Sequence, residues 1–207
     1  PIFVENGIKT NPEADVFFNF DKIKGTGAKL WLNPPFPNTV VSETDKIRTI
    51  MNGDGLLAEV PVDDHDTIPH YVKATVITPD DWKKCKEERM RRDDPERIPD
   101  IDALKQKHPP NRDYALGVQC GSMIGKIRNM LTFEGLAYAV YDYPEMVEDM
   151  VETCCRLGEQ FLDQVLPHFT FDFASGWEDI CFNNGPIVSP KFFKDVVVPR
   201  YKRIASK

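Results

Sequence analysis

"PEMVEDMVETCCRLGEQFLDQVLPHFTFDFAS", residues 144–175, joins a helical pattern to a short apolar run, and this junction decides the fold. Apolar side chains recur at helical spacing through its first part, which predicts a helix over 144–166 with one buried face. The stripe consists of Val147, Met150, Val151, Cys154, Leu157, Phe161 and Val165. Strands are predicted before and after this helix, over 114–119 and 170–174. Strand, helix, strand order is typical of an α/β fold whose neighbouring strands are parallel.

Residues 1–113 are predicted to form an N-terminal region with a β-hairpin and a surface helix, and residues 114–207 the β/α units. Prolines in "LNPPFPN" exclude a helix there, so residues 1–55 are interpreted as irregular. The hairpin strands are predicted over 56–61 and 71–77. "TPDD" then supplies the N-cap, first-turn proline and acids of a helix start.

Composition restricts the partners and the location. The chain has 26 Lys and Arg against 33 Asp and Glu, a net charge of −7, which disfavours duplex nucleic acid. No apolar run approaches the about 20 residues that a membrane span needs, so no membrane partner is expected. Five irregularly spaced cysteines fit reduced thiols in a cytoplasm. No CxxC or HxxxH pair occurs, so no metal site is predicted in this chain.

The loop "QCGSMIGKIRN", residues 119–129, follows the first of these strands. Gly121 and Gly125 would let the backbone approach a ligand closely. Backbone N–H groups near the start of the next helix, with Lys126 and Arg128, would favour an anion. The same pattern is equally typical of a tight turn with two solvent-facing bases.

The loop "SGWEDICFNNGP", residues 175–186, follows the second strand. In an extended segment Glu178 and Asp179 point to opposite sides. Asp179 is the first choice for an inward acid, with Glu178 pairing outward, while Trp177 and Phe182 form an apolar wall. The alternative is that one of the acids makes an ion pair with a neighbouring loop.

Both loops should meet at one edge of the sheet and line one concave pocket, because ligands bind at the carboxyl ends of parallel strands. The catalytic candidates are Asp179 and Glu178. The substrate-binding candidates are Gln119, Gly121, Ser122, Lys126, Arg128, Trp177, Asn183 and Asn184.

Three longer segments resemble the uroporphyrinogen decarboxylase superfamily by their order and spacing. They are "GDGLLAEVPVDDHDTIPHYVKATVITPDDW", "ALGVQCGSMIGKIRNMLTFEGLAYAVYDYPEMVEDMV" and "NNGPIVSPKFFKDVVVPRYKRI". The resemblance spans most of residues 15–205. It implies a (β/α)8 TIM barrel, of which this chain is an incomplete N-terminal part.

The resemblance implies an enzyme that removes carboxylate from acetate side chains of a tetrapyrrole without a cofactor. Asp179 or Glu178 would orient or protonate the substrate, and Lys126 and Arg128 would meet its carboxylates. A second reading is a zinc-using methyltransferase that works with a corrinoid protein, its zinc ligands lying outside this chain. A third is a non-catalytic tetrapyrrole-binding protein. A homodimer is compatible with each reading.

The sequence departs from true decarboxylases in four features. The early arginine-rich stretch and the early catalytic aspartate are not found. Asn129 stands where those enzymes have a substrate-facing tyrosine, and "FNNGP" replaces their "ESxxG" loop. These departures leave the decarboxylase and methyltransferase readings both open.

Overall fold

The computed structural model describes residues 5, 7, 10–63 and 69–207. The connection at 64–68, between the strands of the predicted hairpin, lies outside the described residues. The strands are β1 (Ile23–Gly25), β2 (Thr39–Glu43), β3 (Ile47–Met51), β4 (Leu56–Pro61), β5 (His70–Ala74), β6 (Ala115–Gln119), β7 (Phe173–Ser175), β8 (Cys181–Phe182) and β9 (Gly185–Pro186). The helices are α1 (Asn11–Phe17), α2 (Pro79–Arg89), α3 (Ile101–Lys107), α4 (Gly125–Leu131), α5 (Phe133–Asp142), α6 (Pro144–Val165), α7 (Pro190–Phe192) and α8 (Val198–Ala205). None of these helices is both long enough and apolar enough to cross a membrane.

A parallel sheet of order β1-β6-β7 confirms the predicted adjacency of the two strands that flank the long helix. The second strand begins at Phe173, three residues later than predicted. Gly117 in β6 lies under the ring of Phe173, and an added Cβ would collide with this ring. A side chain at this position would therefore displace the Phe173 ring.

The long helix α6 matches the helix predicted over 144–166, and its stripe is buried as predicted. The reason is the apolar period, which places the whole stripe on the face that packs into the core. Gly158 lets the helix approach the end of β6, since an added Cβ would lie 3.1 Å from the carbonyl oxygen of Cys120.

A second sheet is antiparallel, with the order β2-β3-β4-β5 in the described part of the chain. Strand β4 has the predicted bounds, whereas β5 ends at Ala74 instead of position 77. The irregular structure predicted for residues 1–55 is wrong, because this region contains α1 and β1 to β3. Strand β2 is exposed on both faces, so it lacks the alternation of apolar and polar residues that is typical of a half-buried strand. The predicted hairpin is thus part of a larger sheet, and β1 joins the parallel sheet.

Helix α2 begins as predicted, with the Thr78 side chain accepting a hydrogen bond from the Asp81 amide in a capping box. It is not wholly a surface helix, however. Trp82 and Cys85 are buried, and the Trp82 indole donates to Asp149 of α6 at 2.7 Å. The mostly polar sequence concealed this buried face, because two apolar side chains suffice to dock a short helix.

An ion-pair cluster joins α6 to α8. The carboxylate of Glu152 accepts hydrogen bonds from Arg156 at 2.7 Å, Arg200 at 3.0 Å and Arg203 at 2.8 Å. Burial alone would raise the pKa of Glu152, but the three guanidinium groups outweigh it and hold the pKa at about 2. The cluster therefore fastens the last helix to the core through a carboxylate that stays charged.

We expect this cluster to make stability acid-sensitive. The pKa of Glu152 in the folded chain lies below the model-peptide value of 4.5, so the stabilisation is present above pH 4.5 and lost as pH falls towards about 2. Between pH 7 and pH 3, urea unfolding should show that Glu152→Gln loses about 2 kcal/mol less stability than the unmodified chain. The exposed Glu88→Gln should follow the unmodified chain. Parallel acid profiles for both variants would contradict the prediction.

Candidate functional site

A cavity of about 540 Å³ lies at the carboxyl ends of β6 and β7. One wall is most of the segment 28–35, which follows β1. The other wall contains five residues predicted to bind substrate, namely Gln119, Gly121, Ser122, Lys126 and Trp177. The expectation that both loops contribute to one pocket is therefore correct for these residues.

A larger cavity, of about 630 Å³, lies between α2 and α6 on another side of the molecule. Charged groups on its walls already pair with each other, as Lys86 does with Asp149 and Arg156 with Glu152. We place the candidate site at the strand ends instead, because parallel sheets gather ligands at that edge and Lys126 there has no ion-pair partner among the described residues.

The glycines of the first loop allow its tight packing. Gly121 has a φ of +87°, which residues with a side chain rarely adopt. An added Cβ at Gly125 would lie 2.6 Å from the indole ring of Trp177. The Ser122 hydroxyl oxygen, itself buried, accepts a hydrogen bond from the Lys126 amide at 2.9 Å. The two loops therefore interlock through Gly125 and Trp177.

Two cations line the cavity, and one of them, Lys29, pairs with Glu96. The other is Lys126. Its side chain is half-buried, and its ammonium nitrogen lies 6.0 Å from the centre of the Trp177 ring. No carboxylate of the described residues forms an ion pair with it. A half-buried ammonium without a carboxylate partner favours an anionic group on the ligand.

Glu178 faces inward, so its predicted outward pairing is wrong. Its carboxylate accepts hydrogen bonds from the amides of Met123 at 2.5 Å, Ile124 at 3.0 Å and Gly125 at 2.7 Å, and from the Tyr201 hydroxyl. The backbone groups expected to bind a ligand anion are thus occupied by this carboxylate. Glu178 organises the glycine loop and does not line the cavity.

Tyr201 completes this arrangement from α8. Burial and the hydrogen bond to Glu178 raise the pKa of Tyr201 far above its ordinary value, so its hydroxyl stays protonated and donates. Burial, with a smaller contribution from Glu178, also raises the pKa of the neighbouring Cys154. The thiol is therefore a core group and not a reactive thiolate.

Asp179 pairs with Arg128, which is the ion pair between loops considered above as the alternative. The predicted inward position of Asp179 is wrong, and Arg128 does not face the cavity either. The alternation used to separate the two acids holds only for extended backbone, and residues 176–180 are not in a strand. Both carboxylates consequently contact the loop and helix that follow β6.

Asn183 and Asn184 form the exposed turn between β8 and β9, and they lie outside the cavity. Phe182 is not part of the cavity wall, because its ring packs edge-on against Phe133 with 5.0 Å between centroids. A short hairpin therefore carries these residues away from the site. No local pattern predicts this hairpin, since each of its strands has two residues.

Sequence reasoning missed the wall formed by segment 28–35 and the buried arginine that holds it. The guanidinium of Arg97 donates to the carbonyl oxygens of Lys29 at 2.5 Å, Trp31 at 2.9 Å and Arg89 at 2.6 Å. Only 6% of Arg97 is exposed. It lies in a charged, proline-rich segment that resembles solvated surface, so no local signal indicated its burial.

Among the described residues, no group of His, Cys, Asp or Glu side chains is arranged to hold a metal ion. No family model, curated protein or solved structure matches this chain. We therefore infer the function of this chain from its cavity, from the loops around the cavity and from the motifs of its own sequence.

Proposed function

We propose that this chain is part of a cytoplasmic enzyme of the uroporphyrinogen decarboxylase superfamily, and that its cavity binds a polycarboxylate tetrapyrrole. The observation that carries this proposal is Lys126, a half-buried cation without an ion-pair partner among the described residues, beside the indole of Trp177. A tetrapyrrole presents the two matching features, aromatic or pyrrolic faces and carboxylates around them.

The sheet order supports the proposal. The strands β1, β6 and β7 are parallel, and α6 crosses between β6 and β7, whereas the antiparallel strands β2 to β5 are inserted between β1 and β6. A (β/α)8 barrel is built from such successive units, and its ligands bind at the carboxyl ends of the strands. The cavity lies at that edge.

Each wall has a defined part in binding. Trp31 and Trp177 offer indole surface to a flat pyrrole system. Lys126 and the hydroxyl of Ser122 would hold a carboxylate of the substrate. Loss of carbon dioxide leaves negative charge on carbon, which a nearby ammonium stabilises.

The described residues of the cavity wall include no carboxyl group, so the proton that this carbon takes up would come from the Lys126 ammonium or from water. Proton transfer by Asp179, which pairs with Arg128 outside the cavity, stays a prediction, as does the methyltransferase reading with zinc ligands outside this chain. Neither is favoured by a contact described above.

Uroporphyrin is the probe for this proposal, because it is coloured and quenches tryptophan fluorescence on contact. We expect it to quench Trp31 and Trp177 in a saturable titration. Lys126→Met should weaken binding about tenfold, since one charge-assisted hydrogen bond to a carboxylate is lost. The matched Lys83→Met, on α2, should bind as the unmodified chain does.

Turnover is the second measurement. Uroporphyrinogen incubated with the enzyme that contains this chain should lose carboxylate, and the Lys126→Met form should do so more slowly. Saturable binding that does not depend on Lys126 would place the tetrapyrrole elsewhere. Failure of uroporphyrin to bind at all would exclude this substrate class.

A further inference from the structure

The groove between β5 and α5 lies outside the candidate site and has a volume of about 460 Å³. Four successive residues of the strand, Tyr71 to Ala74, line it. Successive side chains of a strand point to opposite faces, so a groove that touches all four must run along the edge of the strand. The groove therefore follows the backbone of β5.

The edge of β5 is open to a further strand. Among the described strands β5 pairs only with β4, on its other side. An edge strand presents unpaired N–H and C=O groups, and an extended segment can satisfy them by joining the sheet. Backbone pairing of this kind would supply affinity without a specific sequence.

The far wall, on α5, is aromatic and acidic. Tyr138 is 68% exposed above the groove, and Val72 on the strand is 50% exposed. Glu134 and Asp142 each lie one turn from Tyr138 along the same stripe of α5. No described residue forms an ion pair with either acid. Two carboxylates without basic partners beside apolar surface favour a basic occupant.

A second copy of this chain is a poor occupant. The chain carries a net charge of −7, so two copies repel each other. Glu134 and Asp142 outnumber Lys73, the one basic residue among the described residues that line the groove. The groove is therefore complementary to a basic segment of another protein.

We infer that an extended, basic segment of a partner protein adds to β5 as a further strand. Its alternate basic side chains face the stripe of Glu134, Tyr138 and Asp142 on α5, and its other side chains, on the opposite face, lie beside Val72 of the strand. This surface shares no lining residue with the tetrapyrrole cavity, so peptide binding here does not depend on the proposed function.

The probe is the capped heptapeptide Lys-Val-Lys-Val-Lys-Val-Lys, titrated against isotope-labelled protein by NMR. We expect the amide signals of Val72 and Lys73 to shift in a saturable way. The double variant Glu134→Gln, Asp142→Asn should bind about five- to tenfold more weakly, which is the size of two exposed ion pairs. The double variant Glu88→Gln, Asp102→Asn changes the net charge equally and should bind as the unmodified chain does.

Three results would overturn the inference. One is equal binding of the acidic counterpart Glu-Val-Glu-Val-Glu-Val-Glu. Another is binding that both double variants weaken alike, which would indicate attraction to the acidic protein as a whole. The third is a dimer in sedimentation that Val72→Glu dissociates, because the edge would then be occupied by a second copy.

Discussion

Replacing Glu178 with glutamine should destabilise the chain by about 3–5 kcal/mol, although it changes one oxygen to an NH₂ group. The Glu178 carboxylate accepts three backbone N–H bonds and one from Tyr201. The glutamine side chain has no charge, and its NH₂ group would place a hydrogen-bond donor against the backbone N–H and Tyr201 donors. Urea unfolding at pH 7 measures the loss.

Asp179→Asn is the matched control for this prediction. Its carboxylate lies next to Glu178 in the chain, but it pairs with Arg128 and its side chain is 47% exposed. We expect a loss of about 1 kcal/mol or less, as for other exposed ion pairs. Equal losses in the two variants would show that the glycine loop does not depend on Glu178.

Replacing Arg97 with methionine should also cost about 3–5 kcal/mol, because buried carbonyl groups lose their donors. Methionine fills much of the same space without charge. The variant should bind uroporphyrin more weakly as well, since Arg97 holds the cavity wall at Lys29 and Trp31. Unfolding and the fluorescence titration are measured on the same samples.

Arg92→Met provides the comparison for Arg97. Arg92 belongs to the same charged segment but is exposed, and its guanidinium donates to Gln160 of α6. We expect little change in either measurement. An Arg97→Met protein that keeps its stability would contradict the first expectation. One that loses stability but binds uroporphyrin normally would show that Arg97 does not hold the cavity wall.

The sequence predicted the long helix and its two strands well because the signal was repeated. In α6 the apolar stripe recurs over about five turns, from Val147 to Val165, and the core buries all of it. The exposed strand β2 and the two-residue strand β8 have no such repetition. Their pairing depends on distant segments, which local patterns do not encode.

The candidate site was predictable where strand ends alone decide the position. Gln119, Ser122 and Lys126 line the cavity because they follow β6 at the edge where ligands bind. The directions in which the Glu178 and Asp179 side chains point were not predictable, since they depend on the irregular loop after β7. The burial of Arg97 is likewise set by carbonyl groups distant in the chain.

The cavity walls come from segments far apart along the chain, around Trp31, Lys126 and Trp177. Closing the long loops between them costs chain entropy, so the site can exist only after most of the molecule has folded. A ligand that touches all three segments therefore acts as a non-covalent cross-link. It adds its binding free energy to the folded state alone, and the melting temperature of the whole chain reports its occupancy.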